Sequence, residues 1–384
     1  MKLYLNDVGL LCAAGNSRSD ILKRLLQGDR SGLIATSEFG FPAIVGQVTA
    51  ELPEIDSPFY ACRNNQLLLA ALSQIRPTVD SMIAKFDYDR VGVVLGTSTS
   101  GVRNTELALA SAILPEQFHY KQQQIGAGAD FLAAYLGLTA PAYMISTACS
   151  SSGKAFASAR RLINLGVCDA VIVGGADSLC SLTLHGFAAL ESLSTGYCKP
   201  FGKYRNGINI GEAASLFVLS KEPASVELLG IGASSDAHHF SAPDPEGTAV
   251  ITAMQLALND AGKQPDEVDY LNLHGTATVL NDAMESKAVN ALFGSHVAAS
   301  SSKGMTGHTL GAAAALELGF CWLLLVDNAD GTLIPNINDD ELDSELPLLN
   351  LVEKGITLGR SITVCQSNSF AFGGNNLSIV IAIT

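Results

Sequence analysis

The sequence predicts an α/β fold, and three observations carry that reading. Strand-like and helix-like patterns alternate along the chain of 384 residues. Hydrophobic residues make up 48% of it and charged ones only 16%, a composition of tightly packed enzymes rather than of disordered or fibrous chains. The residues of unusual chemistry fall at the ends of strand patterns, where α/β sheets build their sites. The length suits two compact units or one large fold made of two similar halves.

Taken in order, the N-terminal "MKLYLNDVGLLCAAGNSRSD" has a short apolar stretch interrupted by Asn6 and Asp7, which does not read as a signal peptide. "RVGVVLG" (90–96) and "DAVIVGG" (169–175) are continuous β-branched runs ending in glycine, as expected of strands buried on both faces. Between them Ala155, Phe156, Ala159, Leu162 and Ile163 recur at three and four, and Gly166 closes the pattern, predicting a helix over 153–165. The stretch 220–249 is the least regular and places a boundary near residue 222, giving an N-terminal half 1–222 and a C-terminal half 223–384. Beyond it, "DYLNLHG" (269–275) reads as a strand ending at a histidine, 296–325 as strand, loop and long apolar helix, and 361–383 as two strands joined by a Gly-rich turn. The acidic, Pro-containing segment 333–349 reads as a solvated surface loop. No tandem repeat of solenoid length is present.

The net charge of −14 argues against nucleic acid or an anionic membrane as partner, since neutralising phosphates needs clustered Lys and Arg. No run approaches the ~18 apolar residues that span a bilayer, so a cytoplasmic protein is expected. Eight cysteines, Cys12, Cys62, Cys149, Cys168, Cys180, Cys198, Cys321 and Cys365, are scattered without a C-x-x-C pair. In a large chain without an export signal they read as reduced thiols, neither a disulfide framework nor a zinc site.

Cys149 differs from the rest. In "STACSSSGKAFASARRL" (146–162) it precedes a helical pattern and is flanked by Ala148, Ser150, Ser151 and Gly153. A thiol reacts as thiolate, an anion that a helix N-terminus stabilises, and small neighbours let a bulky acyl chain approach. A thiol nucleophile needs proton-handling partners. His274 in "LNLHGTATVLND" and His308 in "SSKGMTGHTLGAAAALE" occupy equally marked positions, whereas His119, His185 and His296 read as ordinary core or surface residues. His238 and His239 are adjacent, point opposite ways on an extended segment, and read as structural or channel-lining rather than as metal ligands.

These residues sit in seven ordered stretches: "STACSSSGKAFASA", "DAVIVGGADS", "KPFGKYRNGINIGEAA", "SSDAHHFSAPDPEG", "HGTATVLND", "SSKGMTGHTLGAAAALE" and "NSFAFGGNN". Together they resemble a β-ketoacyl-acyl-carrier-protein synthase of the elongating Cys-His-His type in the thiolase superfamily. The resemblance implies a thiolase-like five-layer α-β-α-β-α sandwich of two similar halves. It implies Cys149 as the acyl-accepting nucleophile, and His274 and His308 as the pair that acts in decarboxylation and condensation, donating through Nε2 to an enolate. Lys303 and Glu317 match the family's lysine and its buried carboxylate partner, which would keep the histidines neutral and oriented. Phe372 matches the gating residue whose backbone N–H, with that of Cys149, forms an oxyanion hole. Thr276 and Thr278 match pantetheine-binding positions. The substrates travel on the phosphopantetheine of acyl carrier protein, with no metal and no other cofactor, and the working unit is a homodimer or a heterodimer with a homologous ketosynthase or chain-length-factor subunit.

The chain departs from the family at Ala371, where a glycine is usual before the gating Phe372, and at Asn375, Gly202 and Asn206. These changes point to a specialised relative, in a fatty-acid-like, polyketide or aryl-polyene-type pathway, and an extra methyl at Ala371 is expected to restrict the gating loop. The resemblance also implies an acyl pocket lined by Thr99 and by Gln122, Gln123 and Gln124 of a segment, 118–130, that reaches across the dimer, and a basic docking face for an acidic carrier protein at Arg63, Lys199, Lys203 and Arg205. A chain-length-factor-like subunit is set against by the intact Cys149, His274 and His308. A thiolase or starter-type enzyme is set against by His308, where the starter type carries Asn, and by the cysteine-free turn "FAFGGNN".

Overall fold

The computed structural model describes residues 1–111, 113–338 and 341–384. Ten strands carry the fold. Five belong to the first half: β1 (Tyr4–Cys12), β2 (Val91–Gly96), β3 (Ala142–Ile145), β4 (Ala170–Asp177) and β5 (Ala213–Ser220). Five belong to the second: β6 (Val226–Ser235), β7 (Tyr270–Asn272), β8 (Ala298–Ser300), β9 (Val364–Ala371) and β10 (Asn375–Ile383). The first set is ordered β3-β2-β4-β5-β1, with β2 parallel to β3 and β4, and β5 antiparallel to β4 and β1. The second is ordered β8-β7-β9-β10-β6 with the same senses in the same places. The two halves therefore share one topology, as the two-half reading requires. Their sheets meet edge to edge at a single pair, Tyr4 with Glu227.

Helices cover both sheets and fill the space between them, which gives the expected five layers. Helices α1 (Arg63–Phe86) and α2 (Ala127–Leu136) lie on the outer face of the first sheet. Helix α3 (Ser151–Asn164) is the helix expected after Cys149. Helices α4 (Thr248–Ala261) and α5 (Val279–Phe293) cover the outer face of the second sheet. Helix α6 (Ala313–Val326) is buried from Ala313 to Leu325 and lies with α3 in the central layer, touching strands of both halves. A helix apolar all round belongs in such a core. The N-termini of α3 and α6 face each other, and the Ala315 N–H donates to Ser152 Oγ at 2.9 Å. A side chain at Gly153 would run into Leu377 and Ala314, so this approach needs glycine there.

Two expectations are corrected. The stretch 220–249 is not irregular: it holds β6, ten residues long. Gly230 and Gly232 blur its strand pattern in the sequence because α4 presses its backbone there, with Ala257 O and Ala253 O where a Cβ would stand. The acidic segment 333–349 is not wholly solvated. Leu333, Ile334 and Leu349 are buried and Asp343 receives Arg205 at 2.6 Å, while Asp339 and Asp340 of this segment lie outside the described residues. Among the described residues no helix is long and apolar enough to cross a membrane.

Candidate active site

Because the halves share a topology, corresponding loops meet. The loop from β3 to α3 carries Cys149, and the corresponding loop from β8 to α6 carries Lys303 and His308. His274 lies just past β7, and Phe372 just past β9. Ala148 adopts φ +52, a left-handed conformation that costs an alanine roughly 1 kcal/mol, and this sharp turn presents Cys149 ahead of the helix.

Cys149, His274 and His308 are all buried. His308 Nε2 lies 2.9 Å from Cys149 Sγ, and the two imidazole rings meet edge to face at 5.4 Å between centroids. The backbone amides of Phe372 and of Cys149 itself favour a negative charge on the sulfur. Lys303 Nζ donates to the carbonyl of His274 at 2.6 Å and pairs with Glu317.

Burial dominates the electrostatics. It pushes the Cys149 thiol up to about 12, against the pull of Lys303 and the Phe372 amide. It holds both histidines well below their ordinary value, with Lys303 adding to the effect. Burial also raises the Glu317 carboxyl, opposed by Lys303. The resting site is thus a neutral thiol against a neutral imidazole, not the helix-stabilised thiolate expected from the sequence. Alkylation of Cys149 by iodoacetamide should still be accelerating at about pH 10, where an unperturbed thiol of pKa about 8.5 has levelled off; a plateau near that ordinary value would show a thiolate already formed. The sulfur and ring nitrogens lie within 4.8 Å of one another, close enough to share one ion, although a protonated thiol and the Lys303 ammonium both oppose a cation.

The trio closes the inner end of a cavity of about 280 Å³. Thr276 and Thr278 line it, their hydroxyls 3.0 Å apart. Phe372 lines it too and packs against Phe187 at 5.5 Å between ring centroids.

Comparison with known proteins agrees with this geometry. The family described as Beta-ketoacyl synthase, N-terminal domain, matches residues 61–224, and Beta-ketoacyl synthase, C-terminal domain, matches 225–339. The chain belongs to the β-ketoacyl synthase family. It is 31% identical to 3-oxoacyl-acyl-carrier-protein synthase 2 of Coxiella burnetii, over 99% of this chain and 98% of that one. It is 32% identical to Nodulation protein E of Rhizobium meliloti, over 98% and 97%. Among solved structures it resembles a chain of the complex of the ketosynthase ApeO with its chain length factor ApeC, from Xenorhabdus doucetiae, at 44% identity and TM-score 0.94 over 100% of this chain and 98% of that one. As a β-ketoacyl synthase the protein is an acyltransferase that performs carbon-carbon condensation.

The residues expected to form the acyl pocket and the docking face of this β-ketoacyl synthase lie outside the lining of this cavity. Thr99 is no pocket wall: its hydroxyl donates to Asp177 at 2.9 Å, beside the Thr97 hydroxyl, the Ser98 and Thr99 amides, and the Gly311 amide at 2.6 Å. Gln122 is buried with its amide donating to Pro58 O and Gln117 O, and Gln123 and Gln124 are exposed, away from this chain's own cavity. Arg63 is not a docking charge. It holds Glu212, a fully buried carboxylate, at 2.8 Å and Val48 O at 2.9 Å. Arg205 is buried and spans Gly202 O, Asp343 and Val279 O. Lys203 is exposed but paired with Glu341 at 3.3 Å, and Lys199 is half-buried. Replacing Arg63 by Met strands the Glu212 charge and should cost about 3 kcal/mol of stability in urea unfolding, while an unchanged midpoint would return Arg63 to the surface.

Ala371 has an extended backbone at φ −98 and ψ 154, which alanine adopts without strain. The turn of the loop that carries Phe372 is made instead by Gly373 and Gly374, at φ +76 and +72. His238 and His239 are exposed, and His239 Nδ1 accepts the N–H of Ser241 and Ala242 at 3.2 Å.

Sequence reasoning missed the groups that hold the histidines in place. Asn209 O accepts the His308 N–H at 2.7 Å, and His308 O accepts the Gly211 N–H at 2.9 Å. Glu285, buried in α5, accepts the N–H groups of His274 and Gly275, both at 2.7 Å. Its spacing of three from Asp282, which accepts the Ala277 and Phe201 amides, was the available signal, because that interval puts both carboxylates on one helix face.

Proposed function

We propose that this β-ketoacyl synthase holds an acyl chain on Cys149 and condenses it with malonyl-acyl carrier protein, with loss of carbon dioxide. The observation that carries the reading is the 2.9 Å contact between the thiol and His308 at the inner end of a cavity that opens to the surface. With the thiol held up to about 12 and His308 held neutral, ionisation ahead of attack is disfavoured. Sulfur therefore attacks the acyl thioester as its proton passes to His308 Nε2; the bond to the pantetheine sulfur breaks, and that sulfur leaves with the proton. The developing oxyanion meets the amides of Cys149 and Phe372.

Malonyl-carrier protein then enters and loses carbon dioxide, leaving an enolate. His274 and His308, neutral and carrying N–H at Nε2, donate to its oxygen. Neither Nδ1 meets a protein partner, so no hydrogen bond ties His308 to one tautomer, and it can accept from the thiol in one half-reaction and donate in the other. The enolate carbon attacks the acyl-Cys149 carbonyl, the carbon-sulfur bond breaks, and the departing thiolate takes up a proton from water, the one proton that the overall condensation consumes. Apart from that water, every group in this sequence is a side chain or backbone amide of the chain, so the reading calls for no cofactor beyond the carrier's own arm.

The departures at Ala371, Asn375, Gly202 and Asn206 support a specialised pathway, with a polyketide or aryl-polyene-type acyl chain. Likeness to a chain of a ketosynthase–chain length factor complex supports a homologous companion over a second identical copy. The exposed apolar run Leu107, Leu109, Ile113 and Leu114 supplies a surface for one. Eight free cysteines fit work in the reducing cytoplasm.

Intact-mass analysis after incubation with alkyl- and 4-hydroxyaryl-charged carrier proteins, followed by peptide mapping, tests the proposal. An acyl mass on Cys149 is expected, and its identity reports the chain type. An adduct elsewhere, or none in the presence of a companion chain, would overturn it.

A further inference from the structure

We infer that the mouth of the cavity is an apolar collar on which the carrier protein docks by hydrophobic contact rather than by charge; this rests on the function proposed above. Leu190, Val279 and Leu280 line the outer part of the cavity and are 42%, 56% and 59% exposed. Phe240, 69% exposed, immediately precedes Ser241, Ala242 and Pro243 of the cavity lining, and its carbonyl accepts the Gly373 N–H at 2.9 Å. Its backbone is thereby tied to the loop that carries Phe372.

Charge at the same rim has the wrong sign for an acidic carrier. No Lys or Arg lines the cavity, whereas Glu191 and Asp236 do. Of the cations expected to dock the carrier, Arg63 is engaged by the buried Glu212 and Arg205 by Asp343, while Lys203 is paired at the surface with Glu341. The occupant follows from the cavity itself. An arm that reaches Cys149 must thread this opening, so the protein bearing the arm rests on its rim. Exposed large apolar side chains grouped around a functional opening mark an interaction site, and aromatic and aliphatic anchors with few charges are what the energetic centre of an interface contains. Glu191 then serves as a negative element that disfavours carriers held mainly by charge.

The test follows transfer of a hexanoyl group to Cys149 of the full chain by intact mass, from free hexanoyl-pantetheine and from a hexanoyl-charged acyl carrier protein. Phe240→Asp should slow transfer from the carrier by about tenfold or more and transfer from pantetheine by less than about threefold, and Leu280→Asp should slow transfer from the carrier more than transfer from pantetheine. For the unsubstituted chain, raising sodium chloride from about 50 to about 500 mM should change the carrier rate by less than about threefold, and Glu191→Arg should raise it at low salt. Equal losses with both donors, or a salt-induced fall of about tenfold or more, would overturn the collar. So would light scattering that shows either variant dissociating a dimer, because the patch would then belong to a subunit interface. Labelling of Cys149 from pantetheine but not from the carrier defeats the docking inference alone. Labelling from neither donor defeats the proposed function with it.

Discussion

Cys149→Gln is expected to abolish condensation, by about 10⁴-fold or more, while decarboxylation of malonyl-carrier protein persists or rises. Sulfur is the only atom of the site that can hold the acyl chain between the two half-reactions, so its loss cannot be compensated. The histidines do not depend on it for their position. His308 is held by Asn209 O and by its contact to Gly211, and His274 by Glu285 and Lys303. The Gln carboxamide also places an oxygen near the amides of Cys149 and Phe372, much as an acyl-enzyme carbonyl would. The measurement is mass spectrometry of the carrier, in which acetyl-carrier should accumulate and no ketoacyl product form. A variant that still elongates would remove Cys149 from the mechanism.

The second large effect is at His308. Its replacement by Ala removes the acceptor of the thiol proton and one of two donors to the enolate, so decarboxylation should fall by about 10² to 10³ and acyl loading of Cys149 should slow as well. His274→Ala separates the two roles, since it is His308 whose Nε2 lies within hydrogen-bond distance of the thiol: decarboxylation should fall to a similar extent and loading should survive. Loading kinetics and carbon dioxide release, measured on both variants, decide it. Equal loss of loading in the two would assign His274 a contact with the thiol that this geometry does not give it.

The grouping of Cys149, His274 and His308 was legible because it combines residue type with local pattern. A cysteine and two histidines each stand at a strand end among glycine, serine and threonine, where a core would not place them. The two-half architecture was legible for a related reason, since buried strands and α6 need long apolar runs wherever they fold. The neutral state of the site was not. Cys149 precedes a helix, and from the sequence that favours a thiolate, but the sulfur is enclosed by the other half of the chain and desolvation outweighs the helix terminus.

Polar and charged residues outside the trio divided in the same way. Arg63 and Arg205 look like surface cations in the sequence, yet their partners lie 149 and 138 residues further along. Thr99 reads as a pocket residue until Asp177, 78 positions away, claims its hydroxyl. Sequence by itself determined which atoms can do the chemistry and that the chain alternates strand and helix, because those depend on residue type and short-range periodicity. Only the tertiary structure decided which cations are free to meet a partner and which protonation states the site holds, because both are set by desolvation and by carboxylates that reach their partners through folding.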